Sequence, residues 1–277
     1  MPQSADVLAG WSPAPFTAAG VTHDVYTRDP DGGPGPGVVL LPEMPGMTPA
    51  VMGLADHLVA EGFSVAVPSL FGTPGQDVSA GYLLRTFPKA CITREFAAFA
   101  CNADRPVAEY TRALARHLHE RVGGRGVGVI GMCFSGGFAL ASAVEPAVLA
   151  AVASQPSLPL PLGAARKRDI GMSERERDII AERVHSEGLC MVGLRFSEDA
   201  MVSGDRFSAL EKAFGPGWRA IPLNSKPGNP HGIGKNEHSV LTSADVGKPG
   251  HPTHEARAEI TAFLHQRLSP AAATDGV

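Results

Sequence analysis

Short apolar runs alternate along the chain with longer segments in which apolar residues recur at helical spacing. The short runs have the length of buried strands and occupy residues 38–41, 63–68, 127–130, 149–152, 189–196 and 218–223. The periodic segments predict amphipathic helices that begin near residue 49 and cover residues 105–122, 174–187, 205–213 and 254–268. This alternation predicts an α/β fold, with a mostly parallel central sheet and helices on both faces.

Local signals place some of the boundaries of these elements. Thr48 stands before Pro49 and is expected to cap the first helix, because proline suits the first helical turn. Gly123 is expected to end the helix that precedes it. Residues 14–28 predict a hairpin with a polar turn, placed at an edge of the sheet.

No internal repeat or linker divides the sequence, so we expect a single domain over residues 1–277. We expect flexible ends at residues 1–12 and 269–277. Residues 72–103 are too long for an ordinary connection, and such insertions often form lids or pocket walls. The insertion is therefore expected near the substrate pocket.

Composition narrows the possible partners and compartments. The net charge is −4 with both signs mixed along the chain, which argues against nucleic acid as a partner. No apolar run is long enough to span a membrane, and the N-terminus lacks the pattern of a signal peptide. The 4 cysteines are scattered, without a disulfide framework or zinc spacing. We therefore expect a cytoplasmic protein that binds no metal and keeps its thiols reduced.

Residues 127–140 combine a β-branched run, a glycine, a cysteine, small residues and a helical pattern. This order predicts a strand, a tight turn and a helix, which is the nucleophile elbow of α/β-hydrolases. Cys133 is expected at the apex, with Gly131 two residues before it and Ser135 two residues after it. The positive end of the following helix favours a thiolate at this position.

A second register of the elbow would place Ser135 at the apex, flanked by Cys133 and Gly137. Cysteine is a poor substitute for the first glycine, because its side chain would crowd the turn. We therefore favour Cys133. The alternative interpretation of Cys133 is that it is a buried cysteine that serves only as a small apolar residue.

Functional groups also follow other predicted strands, at Glu43 and Asp199, and His238 lies in the loop after the last strand. Sites of parallel sheets lie beyond the carboxyl ends of the strands. The chain order Cys133, Asp199, His238 is the nucleophile, acid and histidine order of α/β-hydrolases. We predict that Cys133 attacks a carbonyl, His238 moves the proton and Asp199 orients the imidazole.

Other side chains compete for the acid and histidine roles. Asp199 fits the predicted strand end better than the other carboxylates. His254 stands at a predicted helix start, a position that is more typical of a surface histidine. The competing residues are Glu198, Asp205, His231, His251 and His254.

These motifs together resemble those of the dienelactone hydrolase family of α/β-hydrolases. The resemblance is carried by residues 41–43, 131–137, 195–202 and 238–239, and it extends over residues 38–268. Ser135 departs from the glycine that this family often has there. The resemblance to this family implies the α/β-hydrolase fold.

The resemblance also implies roles for residues outside the triad. It implies that Glu43 contacts the nucleophilic cysteine and helps to ionise it when substrate enters. It implies an oxyanion hole made by the backbone N–H groups of Met44 and Phe134. It further implies arginines near a substrate carboxylate, for which Arg94 and Arg85 are the candidates.

The sequence thus predicts a cysteine-dependent hydrolase of carboxylic esters or lactones, acting on a small molecule through a thioester acyl-enzyme and without a cofactor. Two other hypotheses remain. One is a binding or regulatory protein that retains the fold without catalysis. The other is a redox sensor at Cys133. The sequence leaves the substrate and the oligomeric state open.

Overall fold

An eight-stranded sheet forms the centre of the molecule, and its strands follow the order β1-β2-β4-β3-β5-β6-β7-β8. The computed structural model describes residues 7–269. The strands are β1 (Ser12–Ala18), β2 (Val21–Arg28), β3 (Gly37–Leu41), β4 (Ser64–Pro68), β5 (Val127–Met132), β6 (Val148–Ser154), β7 (Cys190–Phe196) and β8 (Trp218–Leu223). The predicted hairpin supplies β1 and the antiparallel strand β2, and the strands from β4 to β8 in this order are parallel.

Helices cover both faces of this sheet, as expected. They are α1 (Pro49–Ala60), α2 (Ala80–Ile92), α3 (Pro106–Val122), α4 (Gly136–Ser142), α5 (Ala164–Arg168), α6 (Glu174–Glu187), α7 (Gly204–Phe214) and α8 (Pro252–Leu268). The Thr48 side chain caps α1 by accepting the N–H of Val51 at 3.4 Å. No helix within residues 7–269 is both long and apolar enough to cross a bilayer.

Two apolar cores lie on opposite faces of the sheet. Alternate residues of β3 belong to different cores: Val38 and Leu40 pack with α1 and α8, whereas Val39 and Leu41 pack with α3 and α4. All four are fully buried. This period of two, with both faces apolar, explains why the strand appears in the sequence as a continuous apolar run.

Two regions differ from the sequence prediction. Trp11 lies within the expected flexible lead-in, yet it is buried and its indole donates to Asp56 Oδ1 at 3.0 Å. The residues before position 7 and after position 269 lie outside the described part. The insertion at 72–103 contains α2, which the sequence pattern did not predict because Pro88 interrupts its interior.

Candidate active site

The strand-to-helix elbow places Cys133 at its apex. β5 ends at Met132, a short 3₁₀ turn covers Cys133–Ser135, and α4 follows. Cys133 has a φ of 52°, the left-handed conformation that is unfavourable for any residue with a Cβ. Gly131 is required beside it, because a Cβ there would lie 2.5 Å from the carbonyl oxygen of Ser135. The turn therefore lifts the sulfur from the end of β5.

Ser135 is fully buried beneath the turn rather than at its apex. Its Oγ accepts the N–H of Met132 at 3.0 Å and donates to the carbonyl of Leu41 at 3.1 Å. The hydroxyl thus ties the turn to the end of β3. Of the two registers, the structure has the one with Cys133 at the apex, and Ser135 has a structural position.

Asp199 and His238 meet beyond the ends of β7 and β8. Asp199 is buried in the turn after β7, where its Oδ1 accepts the N–H of Met201 at 2.8 Å. Its Oδ2 accepts from Nδ1 of His238 at 2.7 Å. The carboxylate is therefore fixed from the backbone on one side and orients the imidazole on the other.

The second ring nitrogen of His238, Nε2, is buried and has no hydrogen-bond partner with standard geometry among residues 7–269. Burial by itself would lower the pKa of His238, but the hydrogen bond to Asp199 and the contact with the Cys133 thiol raise this pKa to about 11. The structure therefore places the His238 imidazole between the Asp199 carboxylate and the Cys133 thiol.

The competing residues lie elsewhere. Glu198 and Asp205 are exposed, and so is His231. The ring of His251 contacts Thr253 Oγ1 at 2.7 Å, and His254 Nδ1 contacts the carbonyl of Val246 at 3.0 Å.

Glu43 is buried at the end of β3, but its hydrogen bonds do not go to the cysteine. Its Oε2 accepts from Gln155 Nε2 at 3.0 Å and from Ser239 Oγ at 2.8 Å, and its Oε1 accepts from the hydroxyl of Thr242. None of these bonds is the contact between Glu43 and Cys133 that the family resemblance implied. Glu43 is tied instead to the residues that follow His238.

The two backbone groups expected to form the oxyanion hole belong to the residues that follow Glu43 and Cys133 in the chain. Met44 follows Glu43, and its N–H donates to no backbone carbonyl within residues 7–269. Phe134 follows Cys133 in the first residues of the 3₁₀ turn, where an N–H has no partner inside the helix. The Phe134 ring is fully buried, with edge-on contacts to Phe71 and Phe96 at 5.3 and 5.5 Å between centroids.

Arg85 and Arg94 are both exposed. Arg85 lies on α2 and lines a cavity of about 410 Å³, together with Lys89, Phe71 and Phe96. Phe71 and Phe96 contact the Phe134 ring, but neither Phe134 nor Cys133 lines this cavity. Arg94 follows α2 and does not line this cavity.

Two residues of the site, Gln155 and Ser157, did not emerge from the sequence analysis. Ser157 is buried, its N–H donates to the Cys133 carbonyl at 2.9 Å, and its Oγ lies 3.5 Å from Cys133 Sγ. Gln155 is buried with a φ of 38°. Gln155 follows β6 directly and Ser157 stands two residues later, and a polar run after a buried strand was the signal that could have found them.

A buried arginine holds the loop that carries Ser157. Arg206 on α7 donates through Nη1 to the carbonyl of Pro156 and through Nη2 to that of Pro159, both at 2.6 Å. Its Nε donates to the carbonyl of Asp169 at 2.7 Å. Burial lowers the pKa of Arg206 to about 10, so the side chain remains charged at neutral pH.

The mostly parallel sheet, the elbow after β5 and the acid–histidine pair beyond β7 and β8 define an α/β-hydrolase fold. The sequence profile of the dienelactone hydrolase family matches residues 23–244, and the chain belongs to this family. The family resemblance and the fold expected from the sequence are thereby confirmed.

Solved structures of α/β-hydrolases share this fold at low sequence identity. The dienelactone hydrolase-like promiscuous phosphotriesterase P91 from metagenomic libraries is 20% identical, with a TM-score of 0.61 over 92% of this chain and 98% of that one. Est1E from Butyrivibrio proteoclasticus is 10% identical, with a TM-score of 0.57 over 92% and 98%. The 2,6-dihydroxy-pseudo-oxynicotine hydrolase is 17% identical, with a TM-score of 0.56 over 96% and 72%. No curated protein sequence matches the chain significantly.

Proposed function

We propose that this chain hydrolyses carboxylic esters or lactones through a thioester acyl-enzyme on Cys133. The observation that carries the proposal is the His238–Asp199 hydrogen bond of 2.7 Å, with the free Nε2 of His238 beside a cysteine at the elbow apex. Membership of a hydrolase family supports the same reaction class. The substrate is a small molecule.

Each side chain has a defined task in this reaction. The Cys133 thiolate attacks the carbonyl carbon, and a C–S bond forms as the carbonyl oxygen becomes an oxyanion. The backbone N–H groups of Met44 and Phe134 stabilise that oxyanion. The His238 imidazolium gives its proton to the leaving alkoxide as the C–O bond breaks, and Asp199 stabilises the charged ring.

Water completes the cycle. Neutral His238 takes a proton from a water molecule, whose oxygen attacks the thioester carbonyl. The C–S bond then breaks, the carboxylic acid product leaves, and the thiolate–imidazolium pair of Cys133 and His238 is restored. For a substrate that carries a carboxylate, neither Arg85 nor Arg94 is assigned as its partner, because the cavity that Arg85 lines does not include Cys133 or His238 and Arg94 does not line that cavity.

The proposal is tested with a panel of aryl esters, alkyl esters and lactones, including dienelactones, assayed with wild type and with Cys133→Ala. A phosphotriester belongs in the panel because the structural neighbour P91 is described as a phosphotriesterase. We expect Cys133→Ala to lower kcat/KM on the best carboxylic ester by a factor of about 10³ or more.

Cys101→Ala is the matched control, because Cys101 is an exposed free cysteine outside the site. It should retain wild-type turnover. Equal turnover by wild type and Cys133→Ala would remove Cys133 from the mechanism. A wild-type protein without turnover on the whole panel would favour a binding role.

A further inference from the structure

Glu43 is a buried carboxylate that the proposed reaction does not use. Three neutral donors surround it, on Gln155, Ser239 and Thr242. An ionised carboxylate only accepts hydrogen bonds, and bonds to a charged acceptor are stronger than bonds between neutral groups. Glu43 therefore ties the end of β3 to the residue after β6 and to two residues that closely follow His238.

Gln155 makes a second set of bonds to the same region. Its Oε1 accepts the N–H of Val240 at 3.3 Å and the hydroxyl of Ser154, while its Nε2 donates to Glu43. Its own N–H donates to the carbonyl of Leu194 on β7 at 2.7 Å. The side chain is fully buried, and its φ of 38° is held by these surroundings.

These bonds converge on residues 239–242, the segment immediately after His238. The loop between β8 and α8 contains no helix or strand within the described residues, so regular structure does not place the histidine. Asp199 fixes one ring nitrogen of His238, but it does not fix the backbone from which the ring projects. Glu43 and Gln155 supply that second restraint.

We propose that Glu43 and Gln155 form a positioning pair that holds the His238 imidazole against Cys133 through residues 239–242. In this chain Glu43 then acts on the histidine rather than on the thiol. The role as a positioning pair for catalysis rests on the proposed function, whereas the effect on the imidazole can be measured without turnover.

An exchange of the two side chains tests the pair. Gln155→Glu places a second carboxyl group against Glu43, so the amide donor is lost, and either two like charges repel each other or one carboxyl takes up a proton. The double variant Glu43→Gln/Gln155→Glu restores the bond in the opposite direction. The carboxylate at position 155 still accepts from Val240 and Ser154, and the amide at position 43 can serve both hydroxyls.

We expect Gln155→Glu to lower kcat at least about tenfold, a change of about 1.4 kcal/mol, while KM changes much less. The exchanged pair should recover most of the loss in kcat. Gln266→Glu makes the same chemical change at an exposed position of α8 and should leave kcat unchanged. A Gln155→Glu variant with wild-type kcat, or an exchanged pair no better than Gln155→Glu, would overturn the proposal.

Ser239→Ala/Thr242→Val is a second test, for the case in which Gln155→Glu does not fold. It removes two donors from half-buried positions without adding charge. We expect a lower kcat with a native circular-dichroism spectrum. An unchanged kcat would count against the pair.

The rate of Cys133 alkylation by iodoacetamide, followed by peptide mass spectrometry as a function of pH, separates this proposal from the proposed function. An imidazolium beside the sulfur supports alkylation near neutral pH. Gln155→Glu should therefore need a higher pH, and the exchanged pair should return to the wild-type profile. That pattern in a protein without esterase activity would uphold the pair and refute the proposed function. Cys133-dependent hydrolysis with identical alkylation profiles in all variants would do the reverse.

Discussion

The backbone at Cys133 is held in an unfavourable conformation, and the stability of two variants should reveal it. With a φ of 52°, any residue with a Cβ costs about 1–2 kcal/mol relative to its ordinary backbone conformations. Glycine adopts this conformation without that cost. Cys133→Ala and Cys133→Gly both lose the sulfur and its contact with His238, so the difference between them isolates the backbone.

The net difference follows from two opposing effects. Glycine relieves the strain of about 1–2 kcal/mol, but it also raises the entropy of the unfolded chain, which costs about 0.4–1 kcal/mol. Cys133→Gly should therefore be more stable than Cys133→Ala by about 1 kcal/mol. Neither variant should hydrolyse esters, because both lack the Cys133 thiol. The backbone strain at position 133 is therefore a cost in stability that accompanies the placement of the nucleophile.

Urea unfolding followed by tryptophan fluorescence measures this difference, since Trp11 and Trp218 are both buried. Ala262→Gly is the control, because Ala262 is exposed in α8 and ordinary helical backbone disfavours glycine by about 1 kcal/mol. The two alanine-to-glycine comparisons should have opposite signs. A Cys133→Gly variant less stable than Cys133→Ala would refute the claim that the elbow is strained.

Three further predictions concern the surroundings of the apex. Gly131→Ala should lower the free energy of unfolding by about 1–3 kcal/mol, because the new Cβ overlaps the Ser135 carbonyl; an unchanged melting temperature would contradict this. Asp199→Asn should cost less folding free energy as pH rises. The hydrogen bond to Asp199 raises the pKa of His238, and this stabilises the folded protein fully below the ordinary histidine pKa; the stabilisation is lost as pH rises towards about 11. Thermal unfolding at a series of pH values measures this, and a difference that grows with pH would refute it. Arg206→Met should cost about 3 kcal/mol or more in urea unfolding by leaving buried carbonyls without donors, and a smaller loss would show that water replaces the guanidinium.

The sequence predicted the parts of the fold that depend on local pattern. Apolar runs bounded by glycine and proline revealed the buried strands, and the position of Cys133 followed from the small residues that a tight turn requires. Asp199 and His238 were predicted because a parallel sheet brings the residues beyond its strand ends together.

The parts that the sequence did not predict depend on distant contacts. Glu43 meets Ser239 and Thr242 across 196 and 199 positions of the chain, and local spacing carries no sign of such a pairing. The same holds for Gln155, whose polar side chain appeared to belong to an ordinary loop. Arg85 and Arg94 could not be placed in advance because Pro88 obscured the helix that carries the first of them.

The central claim is that Cys133 forms a covalent bond with the acyl group of the substrate. Mass spectrometry of the protein quenched during turnover of an activated aryl ester, followed by peptide mapping, tests this directly. We predict an acyl group on Cys133 in the wild type, and no acyl group on any residue of Cys133→Ala. Turnover with the acyl group on another residue, or with no acyl group at any time point, would contradict the account.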